Sequence, residues 1–142
     1  MLRGICVGLL ATIAMVGCDR EQALVLPEAI LEGSVTLNGK PVPHALVLVA
    51  GENAPAAQGF ADAEGRFRIS NCASGLVKIG INTDAGRGNM MGAVMASQHG
   101  GNSSAAPNFV DIPKKYFDPS TSGIETQIAN AEGVNTFDIK LK

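Results

Sequence analysis

Two methionines and a histidine recur at helical spacing in the middle of the chain: Met91, Met95 and His99 stand at i, i+4 and i+8, with Met90 beside them. A helix there would align two thioethers and an imidazole on one face, a donor set that suits Cu(I). The same spacing fits an amphipathic turn of helix whose adaptable methionines cover a core and which Gly100 and Gly101 close; that packing role is the expected one. Tyr116, the sole tyrosine, lies among Lys114, Lys115 and Asp118. Either these residues form a recognition patch, or Pro113 and Pro119 set a corner that Tyr116 anchors by burying its ring, which is the expectation. Asp62 and Glu64 supply too few oxygens for calcium, so Asp62-Ala63-Glu64-Gly65 is expected to be a tight turn. His44 and His99 are the only imidazoles, neither stands in a hydrolase motif, and no Gly-x-Ser-x-Gly occurs. No catalytic residue and no cofactor are expected.

The amino end carries chemistry of another kind. Arg3 is followed by an uncharged apolar stretch from Gly4 to Val16, the length of a signal-peptide core and too short for a spanning helix of about 20 residues. Met15-Val16-Gly17-Cys18 resembles a lipobox, with Met15 where Leu is usual; the resemblance implies that Cys18 is lipidated and that residues 1–17 are removed. The two or three acyl chains of such an anchor hold a protein stably, where one chain does so only marginally. Cys6 leaves with the signal and Cys18 is occupied, so Cys72 is expected to be a small core residue without an internal disulfide partner. Residues 18–30 form the lipidated cysteine and a tether, whose twelve residues after Cys18 span at most about 40 Å.

The elements that must position these residues read as strands. The chain has 142 residues with 17 Gly, seven Pro and no Trp, a turn-rich composition that favours one β domain over a helical bundle. Its formal charge of -2 and the absence of any basic run make nucleic acid an unsuitable partner. Apolar residues alternate through 31–37, 76–82, 124–128 and 134–142, and an apolar block fills 45–50. Asn38-Gly39 is a strong hairpin signal, and segments 58–61 and 66–70 flank the Asp62 turn. About seven short strands result, the pattern of an all-β antiparallel β-sandwich over residues 31–142. The Gly- and Met-rich stretch 84–108 interrupts it as a long flexible insertion.

Gly33-x-Val35-x-x-Asn38-Gly39-Lys40-Pro41-Val42-Pro43-x-Ala45, followed by Asp62-Ala63-Glu64-Gly65-Arg66-Phe67, resembles a carboxypeptidase regulatory-like domain of the transthyretin-like, prealbumin-type sandwich. The segment from Ile112-Pro113 to Ser122-Gly123 is similar to that of small exported bacterial lipoproteins that carry this domain. His44 stands where that family usually has a small residue such as Gly, which implies an altered turn. The resemblance implies fold and export and assigns no activity.

The expected function is therefore that of an exported protein, lipid-anchored to a membrane and facing the periplasm or the cell exterior. Its sandwich would be a non-catalytic module contacting envelope protein or polysaccharide. A soft-metal or small-ligand site at Met91, Met95 and His99 is the alternative, and a carbohydrate-binding module comes third, poorly supplied with exposed aromatics to stack on sugar.

Overall fold

The computed structural model describes residues 27–97 and 107–142. Cys18 and its lipobox, most of the tether, and His99 lie outside the described residues.

Two sheets face each other across one apolar core. The first is built on β1 (Ala29–Leu37), which pairs antiparallel with β2 (Lys40–Pro41) and β5 (Arg66–Cys72). On its other side β1 pairs with β8 (Val134–Thr136) and β9 (Ile139–Leu141), and both of these pairings are parallel. The second sheet is antiparallel, in the order β4 (Ala57–Phe60), β3 (Leu46–Gly51), β6 (Gly75–Asn82), β7 (Ile124–Ile128). Leu31, Val35, Phe67, Ile69, Ile139 and Leu141 point inward from the first sheet, and Val47, Val49, Val77, Ile79, Ile81 and Ile128 from the second. Alternation with a period of two selects these faces, as the sequence pattern requires.

The all-β sandwich is thus present, with two differences from expectation. Among the described residues nine strands stand where about seven were expected, because β2 is a separate two-residue strand and segment 134–142 splits into β8 and β9. The first sheet is mixed where an antiparallel one was expected. The split has a local cause: Phe137 lies over Gly33, where a Cβ would stand 2.0 Å from the Phe137 carbonyl oxygen. At this interruption Asp138 Oδ1 accepts hydrogen bonds from the Ser34 N–H at 3.0 Å and the Ser34 hydroxyl at 2.8 Å, standing in for the missing ladder.

The turns follow their residues. Asn38 (φ 51°) and Gly39 (φ 80°) close the β1–β2 hairpin in the left-handed conformations both tolerate. Asp62–Gly65 joins β4 to β5, and since β4 pairs with β3 and β5 with β1, this turn carries the chain from one sheet to the other. Asp62 Oδ1 accepts the backbone N–H groups of Glu64 and Arg66, and Oδ2 meets the Arg66 guanidinium at 2.9 Å. Burial at the turn raises the Asp62 pKa, but the Arg66 N–H, the Arg66 guanidinium and the Glu64 N–H outweigh it and hold the carboxyl below its ordinary 3.8. A depressed folded value means that this stabilisation is present above the unfolded pKa and is lost as pH falls through the folded one. Asp62→Asn is expected to lower the urea midpoint at neutral pH and to converge with the parent below about pH 4. A difference that stays constant into acid would contradict that assignment.

The first part of the 84–108 stretch is not a loop. Thr83–Ser97 forms the helix α1, directly continuing β6.

Candidate functional site

The two ends of the sandwich differ in what they expose. β1 starts at Ala29, opposite Cys72 at the end of β5, and β6 starts at Gly75, opposite Ile128, so these residues share the end from which the tether leaves. At the other end lie the β1–β2 hairpin, the Asp62 turn and the start of β3, where Leu46 pairs with Asn82. The helix α1 rises from that far end.

Asn82 caps the helix, its Oδ1 accepting the Ala85 N–H at 2.9 Å. Only Thr83 and Gly86 of α1 are buried, so the helix is seated through its first turn. Gly86 passes so close to the backbone of His44 that a Cβ would come 1.8 Å from the His44 carbonyl oxygen. His44 adopts φ 58°, the conformation in which glycine is most at ease, and donates its N–H to the Asp62 carbonyl at 3.2 Å.

Next to this seat the side chains of four residues converge. The Arg87 guanidinium lies 5.3 Å from the centroid of the Phe109 ring and pairs with Asp111 at 2.7 Å. The His44 ring meets Phe109 edge-on at 6.3 Å between centroids. This cluster ties both flanks of the 98–106 segment to the sandwich. Asp111 is 85% exposed, so its ion pair is screened by water and contributes little beyond fixing geometry. Of the four, the sequence singled out only His44; Arg87, Phe109 and Asp111 carry no local motif, although a guanidinium one turn into a helix and an aromatic–acid pair after the interruption were both available as signals.

Met91 and Met95 fall on successive turns of α1 and are 46% and 64% exposed. The expected packing role is therefore absent: the helix stands clear of the sheet beyond its first turn, and these methionines cover no core. Among the described residues no group of three or more His, Cys, Asp and Glu is arranged to hold a metal ion.

Tyr116 is buried, at 8% exposure, in the 3-10 turn Lys114–Tyr116, as the corner reading expects. Its hydroxyl donates to the Lys142 carbonyl at 3.0 Å and faces the Lys142 N–H at 3.4 Å, while the Lys115 ammonium sits 4.7 Å from the ring centroid. The Lys142 N–H and then the Lys115 ammonium hold the phenol below its usual range. Asp118 accepts from the Ser120 N–H and hydroxyl, which lowers its pKa, and Ser122 donates its hydroxyl to the Ile79 carbonyl. Tyr116, Lys115 and Asp118 are thus neighbours in one corner, which the Tyr116 hydroxyl fastens to Lys142 while Asp118 closes its own turn on Ser120. Tyr116→Phe is expected to cost about 0.5–1.5 kcal/mol, measured by urea unfolding, and to raise amide exchange in β9; unchanged exchange there would dissociate the hydroxyl from the tail.

Cys72 is fully buried, its Sγ facing the Ile69 carbonyl at 3.5 Å, and burial pushes the thiol pKa up. A thiol so placed is not accessible for oxidative pairing with a second chain. Clefts on the surface include one of about 610 Å³ beside the β1–β2 hairpin, between Thr36, Asn38, Lys140 and Lys142, and two others. One, of about 490 Å³, lies at the tether end between Pro27, Glu52, Ala54, Ser74 and Leu76. The other, of about 350 Å³, is a groove on the first sheet where Glu32, Ser34, Arg66, Thr136 and Asp138 surround Gly33 and Phe67.

No protein-family model matches this chain, and no curated protein is significantly similar to it. No helix among the described residues is long and apolar enough to cross a membrane.

Proposed function

We propose that this chain is an exported, lipid-anchored protein whose β-sandwich serves as a non-catalytic binding module close to a membrane, contacting envelope protein or polymer. The observation that carries the reading is the polarity of the domain. The lipobox-like Met15–Cys18 leads through a short tether to Pro27 at one end, while α1 and the His44–Arg87–Phe109–Asp111 cluster stand at the other. The nine residues of β1 separate the two ends by roughly 30 Å. An anchored domain built this way offers its helical end to partners and its tether end to the lipid surface. The resemblance to prealbumin-type lipoproteins supports the same reading. Support for the non-catalytic part comes from the ionisable groups: the lowered carboxyls, Asp62 and Asp118, are held by hydrogen bonds within their own turns, not aimed into a cleft.

Cys18→Ser tests the anchor. The parent is expected to incorporate a palmitate label and to partition into detergent; the variant is expected to lose the label and accumulate as uncleaved precursor or released protein. Equal labelling of both would sink the proposal. Reproducible turnover of an envelope substrate that His44→Ala abolishes would overturn the non-catalytic part.

A further inference from the structure

Methionine is normally retained for packing, since a flexible apolar side chain in water covers nothing and loses the contacts that justify it. Met91 and Met95 depart from that rule together, on one helix, four residues apart. That spacing puts their Cβ atoms about 6 Å apart on one face, within reach of a shared ligand. The surroundings are open: a Cβ added at Gly88 or Gly92 would meet nothing within 4 Å. Asp84 lies in the first turn of the helix, two turns before Met91, and Arg87 is the only other charged residue on it, so the stretch from Gly88 to Ser97 offers no hard carboxylate donor and no ammonium to repel a cation. Arg87 itself is engaged by Asp111 and Phe109.

From this arrangement we infer that Met91 and Met95 form a binding site for a soft monovalent metal ion, Cu(I) or its analogue Ag(I), coordinated by the two thioether sulfurs with solvent completing the shell. Thioethers select soft ions, so Zn(II) and Cu(II) are poor competitors for two thioether donors. No electron transfer is involved; the ion arrives already reduced and leaves unchanged. The site stands independently of the anchor, because it needs only α1 and its seat on His44 and Gly86.

The test uses the full mature protein purified in detergent, with Ag(I) and anaerobic Cu(I) supplied against a competing chelator. Binding of either ion is expected to shift the ε-methyl NMR signals of Met91 and Met95, and Zn(II) is expected to leave them in place. Met91→Leu with Met95→Leu preserves the helix, checked by circular dichroism, and is expected to lose at least about tenfold in affinity. Absence of methyl shifts in the parent protein overturns the inference whatever the variants do. So does undiminished affinity in the double variant, or loss on His99→Ala alone with the methionine variants unaffected. Cys72 is present and buried in every variant, so its thiol does not distinguish them.

Discussion

Gly86→Ala is expected to destabilise the protein by about 1–3 kcal/mol, at the upper end of that range, although alanine is the better helix former. In an open helix the same exchange gains about 0.5–1 kcal/mol, because glycine loses more backbone freedom on ordering. The sign reverses here because the added methyl would fall 1.8 Å from the His44 carbonyl oxygen and 3.3 Å from the Ala45 Cα, both backbone atoms of the β3 approach. Neither can rotate aside. The chain must lift α1, which then loses the contacts of Gly86 and Thr83, its only buried residues. Gly92→Ala is the internal control: it sits in the same helix with open space around it and is expected to stabilise. Urea midpoints and helical circular dichroism of the two variants should move in opposite directions. Both moving the same way would show that α1 is not seated as described.

Gly33→Ala is expected to cost about as much, by the same overpacking argument, and to detach a different element. The new Cβ would meet the Phe137 carbonyl oxygen at 2.0 Å and press on the Phe67 ring at 3.3 Å. Relief requires moving Phe137, which hands the chain from β8 to β9, or displacing a ring in the core. The readout is local: amides of Ile139–Leu141 should exchange faster by more than those of β6, and the Tyr116 hydroxyl should lose Lys142. Uniform acceleration across both sheets would instead indicate a general loss of stability.

Both glycines show where sequence reasoning stops. Alternation in Val77, Ile79 and Ile81 chose their inward face correctly, and Asn38-Gly39 announced its hairpin, because both signals are local and follow from backbone geometry. Ile139 and Leu141 were likewise assigned to the core, yet alternation names a face and not a neighbour, so the parallel pairing with β1 was illegible. The Met91–Met95 spacing announced a turn of helix, but the extent of α1 back to Thr83 was obscured by Gly86, Gly88 and Gly92, which weaken helix propensity, and by apolar residues that follow no clear stripe. The Arg87–Asp111 pair spans 24 residues across the interruption, with nothing in either segment to point at the other. The methionine spacing was visible at once; its exposure was not, and exposure turned a packing motif into a donor pair.

The parallel pairing of the final strands also sets an order of events. β1, almost the first segment of the domain, finds one flank in β5 but the other only in β8 and β9, which pair Ile30 with Val134 and Leu37 with Leu141 across more than a hundred residues. Closing so long a loop is entropically costly and slow. While the chain is being made from its amino end, the inner strand of the first sheet waits with one edge open until β8 and β9 emerge. Folding of this domain is thereby coupled to the arrival of Val134–Leu141: a product truncated before Val134 would present a bare, apolar-flanked strand edge prone to pairing with a neighbour's.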